Sequence, residues 1–240
     1  MNAFSLSGRK VVVTGAAGDI GRGIMQAIEA AGGRAIGWDK STGEGIHAVD
    51  VTDQNAVTKS FQALESDGGV YGLVTAAGIV GKPGLTFLEI DEQEWHRVVN
   101  VNLWGTFNVL QTWGRMRKEL GQSGSAVTIA SIVARVGTPH NPHYVASKGG
   151  VDALTRSAAV ALAPFNIRVN AVCPGPVPTG LNTHRWATEE GRATLLKGVA
   201  LGRLGSPENI GQAVTFLLSD ASSWTTGASH YVDGGVTITR

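Results

Sequence analysis

Tyr144 and Lys148 are the two residues of this sequence whose types and spacing best suit proton transfer. Residues four apart on a helix lie on the same face, one turn from each other. A tyrosine in water has a pKa near ~10 and is a poor base at neutral pH, but a neighbouring ammonium group favours the phenolate. Because hydride transfer from a carbinol carbon requires a base, we predict Tyr144 as general acid/base and Lys148 as its electrostatic partner. A pair so spaced can also simply cover a helix face.

A glycine-rich segment, Thr-Gly-Ala-Ala-Gly-Asp-Ile-Gly at residues 14–21, connects a short apolar run to a helical pattern. Glycines allow the backbone to approach a pyrophosphate, whose charge then meets the positive end of the helix. A tight turn that needs glycine for its own sake would look similar. We predict a dinucleotide phosphate site formed by Gly15, Gly18, Asp19, Ile20 and Gly21.

Asp39 ends the second apolar run, about where a carboxylate accepts hydrogen bonds from the adenosine ribose. A carboxylate there repels the 2′-phosphate of NADP, so we expect NAD (NADH) as the cofactor and NADP less. Lys40 weakens this discrimination, since a cation can accommodate a phosphate, and Asp39 could also be a solvated turn residue. The adenine side of the predicted site is completed at the ends of the next two strands by Asp50, Val51, Ala77 and Gly78.

Short apolar runs alternate with longer helical patterns along the chain. The runs lie at 11–13, 35–38, 73–75, 126–129 and 169–172, and the helical patterns at 20–31, 53–65, 95–120, 144–163 and 207–219. Strands that are apolar on both sides belong to a parallel sheet covered by helices on each face. The alternation predicts a doubly wound α/β fold with a mostly parallel sheet, which binds its ligands at the carboxyl ends of the strands.

The composition argues against several functional classes. The 240 residues carry a net charge of +1 with both signs interspersed, which gives no reason to expect nucleic acid or an anionic membrane as partner. No segment reaches the ~20 apolar residues that span a bilayer, and the first ten residues lack a signal-peptide core. Cys173 is the single cysteine and is expected to pack as a small buried residue. We expect one domain over residues 1–240, cytoplasmic, without a metal.

The sequence also resembles the short-chain dehydrogenase/reductase (SDR) family, over nearly its whole length. The resemblance is carried by Tyr-Val-Ala-Ser-Lys at 144–148, Ser131, Asn-Val-Asn at 100–102, Pro-Gly-Pro-Val-Pro-Thr at 174–179 and Val-Asp-Gly-Gly at 232–235. Motifs in this order and spacing are specific. The resemblance implies a single Rossmann-type domain with a seven-stranded sheet, and an NAD(P)-dependent alcohol dehydrogenase or ketoreductase that acts on CH–OH groups.

The resemblance also implies roles for individual residues. Ser131 would hydrogen-bond the substrate oxygen, and Asn102 would anchor a water relay to bulk solvent. Lys148 would hold the nicotinamide ribose as well. The cofactor-binding set in this half of the chain would be Asn102, Tyr144, Lys148, Pro174, Gly175, Val177 and Thr179.

A substrate lid and an assembly are implied in the same way. The lid would lie around residues 178–200 and would close to exclude water. In a homotetramer, the helices beginning near Trp95 and Tyr144 would pair across one interface, and the strand around Val232 across another. Apolar residues such as Trp104 could equally belong to the core.

Substrate contacts are expected in the loop at 132–143 and in the lid. The candidates are Val133, His140, Leu181, His184 and Trp186. His143 lies in the same loop, although loop histidines are commonly solvated. The partner is a small-molecule alcohol or ketone.

Two positions depart from the family pattern. Asp19 stands where the family usually has the middle glycine, and its charge near a pyrophosphate should cost affinity unless it points to solvent. Thr75-Ala76-Ala77-Gly78 stands where the family commonly has two asparagines before Ala-Gly. The structural role of those asparagines must be met here by Thr75 or by backbone groups.

Three functional readings follow. The first is an NAD-dependent dehydrogenase of a secondary alcohol, and the second is a 3-oxoacyl-thioester reductase, which would prefer NADPH against the evidence of Asp39. The third, from another class, is a non-catalytic NAD-binding scaffold protein, which would typically have lost Tyr144 or Lys148. An extended epimerase or dehydratase is disfavoured because the chain has no room for a separate substrate domain.

Overall fold

Seven parallel strands form one sheet in the computed structural model, which describes residues 2–65 and 69–239, without the side chains of residues 184 and 185. The sheet order is β3-β2-β1-β4-β5-β6-β7, and every neighbouring pair is parallel. The strands are β1 Lys10–Thr14, β2 Arg34–Asp39, β3 Ile46–Ala48, β4 Gly72–Thr75, β5 Gly124–Ile129, β6 Ile167–Pro174 and β7 Ser229–Val232. The predicted seven-stranded, doubly wound fold is confirmed.

The described chain has eight α-helices, and those that pack against the sheet cover both of its faces. They are α1 Asp19–Ala30, α2 Gln54–Glu65, α3 Glu92–Val99, α4 Gly105–Glu119, α5 Pro142–Leu162, α6 Thr183–Trp186, α7 Glu189–Leu196 and α8 Pro207–Leu218. Helix α8 begins with a Ser206 cap and Pro207 in its first turn, as the sequence predicts. None of the helices in the described part of the chain has the length and apolarity to cross a bilayer.

The single helix predicted at 95–120 is interrupted. Helix α3 ends at Val99, a π-helical turn covers Asn100–Trp104, and α4 continues from Gly105. A π-helical turn changes the direction in which its side chains point, and such turns are frequent at functional sites. Here it turns the side chain of Asn102 into the protein interior, where the residue is completely buried.

Side chains along each strand alternate between the two faces of the sheet, and this divides the core into two layers. Val12 of β1 belongs to the cluster beneath α2 and α4, whereas Val11 and Val13 belong to the cluster beneath α1 and α8. Successive side chains of a strand point to opposite faces, so a continuous apolar run can bury both.

The strand order reverses between β1 and β4, because the chain winds outwards from β1 in one direction and from β4 in the other. Adjacent crossovers therefore leave on opposite faces, which opens a crevice beyond the carboxyl ends of these strands. Most of the predicted site residues lie at or near that edge of the sheet. They follow the ends of β1, β3, β4 and β5, lie at Asp39 or at Pro174 and beyond, or belong to α5 and the π-helical turn.

Candidate active site

A cleft of about 1120 Å³ runs along this edge of the sheet. Nearly all predicted site residues line it. These are Gly15, Gly18, Asp19, Ile20, Gly21, Asp39, Asp50, Val51, Ala77, Gly78, Ser131, Val133, His140, Tyr144, Lys148, Pro174, Gly175, Val177, Thr179 and Leu181. The fold thus brings the glycine-rich segment and the Tyr-Lys pair into one cavity.

Lys148 lies deep in the wall of the cleft. Its side chain is 5% exposed, and Nζ donates a hydrogen bond of 2.7 Å to the carbonyl oxygen of Ile129, at the end of β5. Nζ lies 5.9 Å from the centroid of the Tyr144 ring. Burial disfavours the charged form and lowers the pKa of Lys148 to about 8. At neutral pH the group is therefore still mainly an ammonium ion, held close to the phenol.

Asn102 lies behind the wall of the cleft and does not line it. Its Oδ1 accepts from the backbone N–H of Ile79 at 2.8 Å, and its Nδ2 donates to the carbonyl of Ile79 and to Oγ of Ser147, each at 2.9 Å. Ser147 in turn donates to the carbonyl of Tyr144. Asn102 thereby ties α5 to the segment that follows β4. Ser147 lies inside the Tyr-Val-Ala-Ser-Lys motif, but sequence reasoning did not single it out.

Ser131 lies two residues after the end of β5 and caps a short 3₁₀ turn, Ile132–Ala134. Its Oγ accepts from the backbone N–H of Val133 at 3.3 Å. The residue is 8% exposed and lines the cleft together with Tyr144. A hydroxyl that accepts from a backbone N–H keeps its own proton for donation.

The glycines of the first motif are required by close packing. Gly15 has φ +69°, and a Cβ there would lie 2.7 Å from backbone atoms of Ala77. A Cβ on Gly21 would lie 2.1 Å from the carbonyl oxygen of Gly15, which only glycine avoids. At Gly18, by contrast, a Cβ would have the Gly15 carbonyl oxygen, at 3.4 Å, as its one neighbour within 4 Å.

The departure at Thr75 is resolved by a different threonine. Oγ1 of Thr14, at the end of β1, accepts from the backbone N–H of Ala77 at 3.1 Å and links β1 to the segment after β4. The buried Oγ1 of Thr75 makes no hydrogen bond to any residue that the structure describes. Of the two alternatives that the sequence left open, the structure excludes the hydroxyl of Thr75, and a backbone group, the N–H of Ala77, makes the link to Thr14.

Asp39 lies at the far end of the cleft. Its Oδ2 accepts from the N–H of Ala17 at 3.1 Å, and its Oδ1 accepts from the N–H and hydroxyl of Ser41. The carboxylate thus holds the glycine-rich segment, which argues against a merely solvated turn residue.

Lys40 forms an ion pair with Asp50. Its Nζ lies 3.2 Å from Oδ2 of Asp50. Burial raises the pKa of Asp50, but hydrogen bonds from Thr52 and the Lys40 ammonium group outweigh it, so that the pKa is lowered overall. Both carboxylates at this end of the cleft, Asp39 and Asp50, line the cavity.

Asp19 is the first residue of α1, and Gly18 provides the N-cap. The carboxylate does not cap the helix, and it is not left to solvent only. Its Oδ2 accepts a hydrogen bond of 2.6 Å from the backbone N–H of Gly180. The glycine-rich segment is in this way bonded to the beginning of the predicted lid.

The predicted lid is a short helical segment after β6. It contains a 3₁₀ turn at Gly180–Asn182 and the helices α6 and α7. Leu181 lines the cleft, but the indole N–H of Trp186 donates to the carbonyl of Thr179 at 2.9 Å, and Trp186 is absent from the cleft walls that the structure describes. The structure therefore does not bring Trp186 to the substrate end. The side chain of His184 lies outside the described residues.

The two loop histidines differ from each other. His140 is exposed and lines the cleft together with Val133. His143 is completely buried, with Nε2 3.7 Å from Oε1 of Glu94, so the expectation of a solvated loop residue is wrong for it. Burial lowers the pKa of His143, although the Glu94 carboxylate opposes this effect.

Glu94 is a buried carboxylate that sequence reasoning missed. It accepts from the N–H of Lys82 at 2.6 Å and from two guanidinium nitrogens of Arg97, at 2.8 and 2.9 Å. The Arg97 guanidinium lowers the pKa of Glu94 to about 2. The bond to Lys82 fixes the loop whose members Val80 and Pro83 line the cleft. The available signal in the sequence was an acidic residue with a positive one at i+3.

Cys173 is buried at the end of β6, and burial raises its pKa to about 12. It therefore packs as a small side chain, as predicted, and is not an activated nucleophile. Among the described residues, no group of three or more His, Cys, Asp or Glu side chains is placed to hold a metal ion.

Comparison with protein families gives a match over residues 3–237 to the model described as Enoyl-(Acyl carrier protein) reductase. Two curated relatives are each 35% identical to the chain. One is the L-rhamnose 1-dehydrogenase (NAD(P)(+)) of Azotobacter vinelandii, over 96% of this chain and 88% of that protein. The other is the 3-oxoacyl-[acyl-carrier-protein] reductase of Thermotoga maritima, over 97% of this chain and 99% of that protein.

Among solved structures, the chain is similar to a putative 2-deoxy-D-gluconate 3-dehydrogenase from Agrobacterium tumefaciens with bound NADP. The TM-score is 0.92 at 32% identity, and 100% of each chain is covered. The family model and the curated relatives both extend over nearly all of the chain. On this evidence, the protein belongs to the short-chain dehydrogenase/reductase family.

Proposed function

We propose that this protein is an oxidoreductase that transfers a hydride between NAD(H) and a secondary alcohol or ketone. The observation that carries the proposal is the placement of Tyr144 and the buried Lys148 ammonium, 5.9 Å apart as ring centroid and Nζ, in the same cleft as the glycine-rich segment. The relatives act on CH–OH or keto groups by name, which agrees with this reaction. A scaffold protein would have no need of a buried lysine, which is costly to keep charged.

The residues along the cleft fit a dinucleotide. Asp39 offers carboxylate oxygens for ribose hydroxyls, and the N-terminus of α1 offers backbone N–H groups to a pyrophosphate. Gly18 leaves the space that a Cβ would fill open towards the cleft, so a phosphate can approach the backbone there. Lys148 would hold the nicotinamide ribose, beside Pro174, Gly175, Val177 and Thr179. The nicotinamide, when bound, supplies or accepts the hydride.

Tyr144 and Ser131 perform the proton chemistry in this proposal. In alcohol oxidation, the phenolate oxygen of Tyr144 takes the hydroxyl proton, and in ketone reduction the phenol returns it. The hydroxyl of Ser131 donates to the substrate oxygen and orients it, which stabilises the charge that develops there. The 3₁₀ turn that Ser131 caps keeps this hydroxyl at the end of β5.

Lys148 makes the phenol usable near neutral pH. In a region of low dielectric constant, a positive charge has a larger effect on a neighbouring ionisation than it has in water. The ammonium group is fixed by the Ile129 carbonyl, and its charge favours the phenolate of Tyr144. Asn102 acts behind it as a support that ties α5 to Ile79, and a water relay at Asn102 remains a prediction.

The preference for NAD is part of the proposal. Asp39 faces the cleft with a negative charge, and the nearby Lys40 is paired with Asp50. The alternative, a 3-oxoacyl-thioester reductase that uses NADPH, is favoured by the Thermotoga relative. Initial rates with NADH and with NADPH separate the two, because the alternative requires faster turnover with NADPH.

We also propose a homotetramer in the cytoplasm, with residues 178–200 as a substrate lid on a single domain. Exposed apolar side chains support the assembly: Trp104 is 39% exposed near α4, and Trp224 is fully exposed before β7. Gel filtration with light scattering tests it, and a monomer would contradict it.

Tyr144→Phe tests the proposed function directly. Because the ring is kept and the phenol oxygen removed, we expect kcat to fall by about 10²- to 10⁴-fold while the Kd for NADH changes by no more than about threefold. The substrate for this test is identified first, by measuring the change in nicotinamide absorbance with a panel of secondary alcohols and ketones. Tyr71→Phe is the matched control, since Tyr71 bonds the distant Leu218 carbonyl. Full activity in Tyr144→Phe would refute the assignment.

A further inference from the structure

A bond between two parts of the chain 161 residues apart joins the glycine-rich segment to the lid. Oδ2 of Asp19 accepts from the backbone N–H of Gly180 at 2.6 Å, and both residues line the cleft. Asp19 is also the residue at which the chain departs from the glycine pattern of the motif. A glycine at this position would have no side chain to make this contact.

Gly180 is the point at which the lid begins. Thr179 and Asn182 form a capping box around the turn that Gly180 opens. The indole N–H of Trp186 and the hydroxyl of Thr183 both donate to the Thr179 carbonyl, so α6 is bonded back to the same point. A bond to Gly180 therefore fixes the lid root, which we define as residues 179–186, relative to α1.

The same carboxylate lies where a pyrophosphate is expected. The N-terminus of a helix attracts anions, and a negative side chain there competes with a bound phosphate for this field. Asp19 should therefore weaken dinucleotide binding while it holds the lid root.

We propose that Asp19 is a positioning residue that anchors the lid root to the N-terminus of α1, in exchange for some dinucleotide affinity. The part that concerns affinity rests on the proposed function, and the part that concerns the anchor does not. Asp19 acts on the reaction through the lid and through charge, and has no proton to transfer in it.

Four variants separate the effect of the Asp19–Gly180 hydrogen bond from the effect of the Asp19 charge. Asp19→Gly removes both, whereas Asp19→Asn removes the charge and keeps an oxygen that can accept from Gly180. Gly180→Pro removes the donor, and Thr179 already has the extended conformation, φ −145° and ψ 163°, that a following proline requires. Gly180→Ala is the matched control, because it keeps the N–H and its Cβ would meet Asp19 Oδ2 at an ordinary 3.6 Å.

Limited trypsin digestion of the ligand-free variants measures the anchor. Arg192 and Lys197 of the lid are exposed cleavage sites. We expect cleavage there to be about three- to tenfold faster in Asp19→Gly and Gly180→Pro, and within about twofold of wild type in Asp19→Asn and Gly180→Ala. Asp19→Gly combined with Gly180→Pro should be no faster than either alone, since both remove one bond.

NADH titration and steady-state kinetics measure the effect of charge. We expect Asp19→Gly and Asp19→Asn to bind NADH about three- to tenfold more tightly. The KM for the alcohol should rise in Asp19→Gly and Gly180→Pro but not in Asp19→Asn, with kcat changed less than KM. Circular dichroism and thermal unfolding confirm that each variant is folded.

The outcomes are distinguishable. Lid cleavage that is unchanged in Asp19→Gly, or additive in the double variant, overturns the anchor. Unchanged or weaker NADH binding in both Asp19 variants overturns the conflict of charge. If the wild type binds no NADH at all, the proposed function fails, while the trypsin result on the ligand-free protein still decides on the anchor.

Discussion

Lys148 and Asp39 lie at opposite ends of one cleft and in different surroundings. Lys148 is 5% exposed and donates to a backbone carbonyl, and burial brings its pKa to about 8. Asp39 is partly exposed and accepts from Ala17 and Ser41. At the buried end, desolvation changes the ionisation of the charged group, whereas at the open end the proposed function uses a charge to select between NAD and NADP.

This comparison shows that proton transfer and cofactor selection need different surroundings. Proton transfer needs groups whose ionisation is shifted, and burial produces such shifts. Selection between cofactors that differ by a phosphate needs only a charge at the correct distance, which remains effective near solvent because the phosphate itself is doubly charged. In the proposed function the same edge of the sheet provides both, from β5 and α5 at the Lys148 end and from β2 at the Asp39 end.

The largest effect is expected at the buried end. Lys148→Met keeps the length of the side chain and removes the charge, so kcat should fall by about 10²- to 10⁴-fold because the phenolate loses its partner. Steady-state rates with a substrate found in the alcohol panel measure this. Lys59→Met on the exposed face of α2 is the control and should retain activity. If Lys148→Met loses less than about tenfold, the buried charge is not what activates the phenol.

A smaller effect is expected at the open end. Asp39→Asn removes the charge and keeps one of the two oxygen acceptors, and should raise the ratio of kcat/KM for NADPH to that for NADH by about ten- to a hundredfold. Asp53→Asn, an equivalent change at a carboxylate that caps α2 outside the cleft, is the control. A ratio that stays constant in Asp39→Asn would show that the discrimination lies elsewhere.

The smallest effect concerns stability, and its size depends on pH. Below pH 8 Lys148 is charged in both the folded and unfolded states, and the folded state carries the whole cost of burying the charge. Between pH 8 and ~10.4 the folded protein has lost this proton while the unfolded chain retains it, so stability rises with pH. Lys148→Met should therefore be more stable than wild type by about 1–3 kcal/mol at pH 7.

Urea unfolding at pH 7 and at pH 10 tests this difference. The advantage of Lys148→Met should shrink at pH 10, because the wild type no longer has to bury an ammonium ion. Lys59→Met should show no such change. An advantage that grows with pH would contradict the direction of the Lys148 pKa.

Much of this architecture can be predicted from signals within short segments of the sequence. Apolar runs such as Val11–Val13 predict buried strands because such strands must be covered on both faces, and the Ser206-Pro207 signal predicts the start of α8 because capping acts within one turn. The Tyr144–Lys148 pairing follows from helical spacing alone. The family resemblance added Ser131 and the segment at 174–179, and the structure places all of them on one cleft.

Other features depend on contacts between distant parts of the chain. The helix predicted at 95–120 is broken by the π-helical turn at Asn102, whose partners Ile79 and Ser147 lie 23 and 45 residues away. The burial of His143 depends on Glu94 from another helix. Periodicity along one segment contains no information about such partners, so these contacts could not be predicted before the fold was known.

Local signals in the sequence therefore indicated the main strands and helices and the proposed acid/base pair, because spacing of 2 or 3.6 residues and turn chemistry act over a few residues. The folded chain was needed to show that Ala77 donates to Thr14 rather than to Thr75, that burial lowers the pKa of Lys148 to about 8, and that Asp19 accepts from Gly180. These depend on desolvation and on contacts between segments far apart in the chain, which the winding of the sheet brings together.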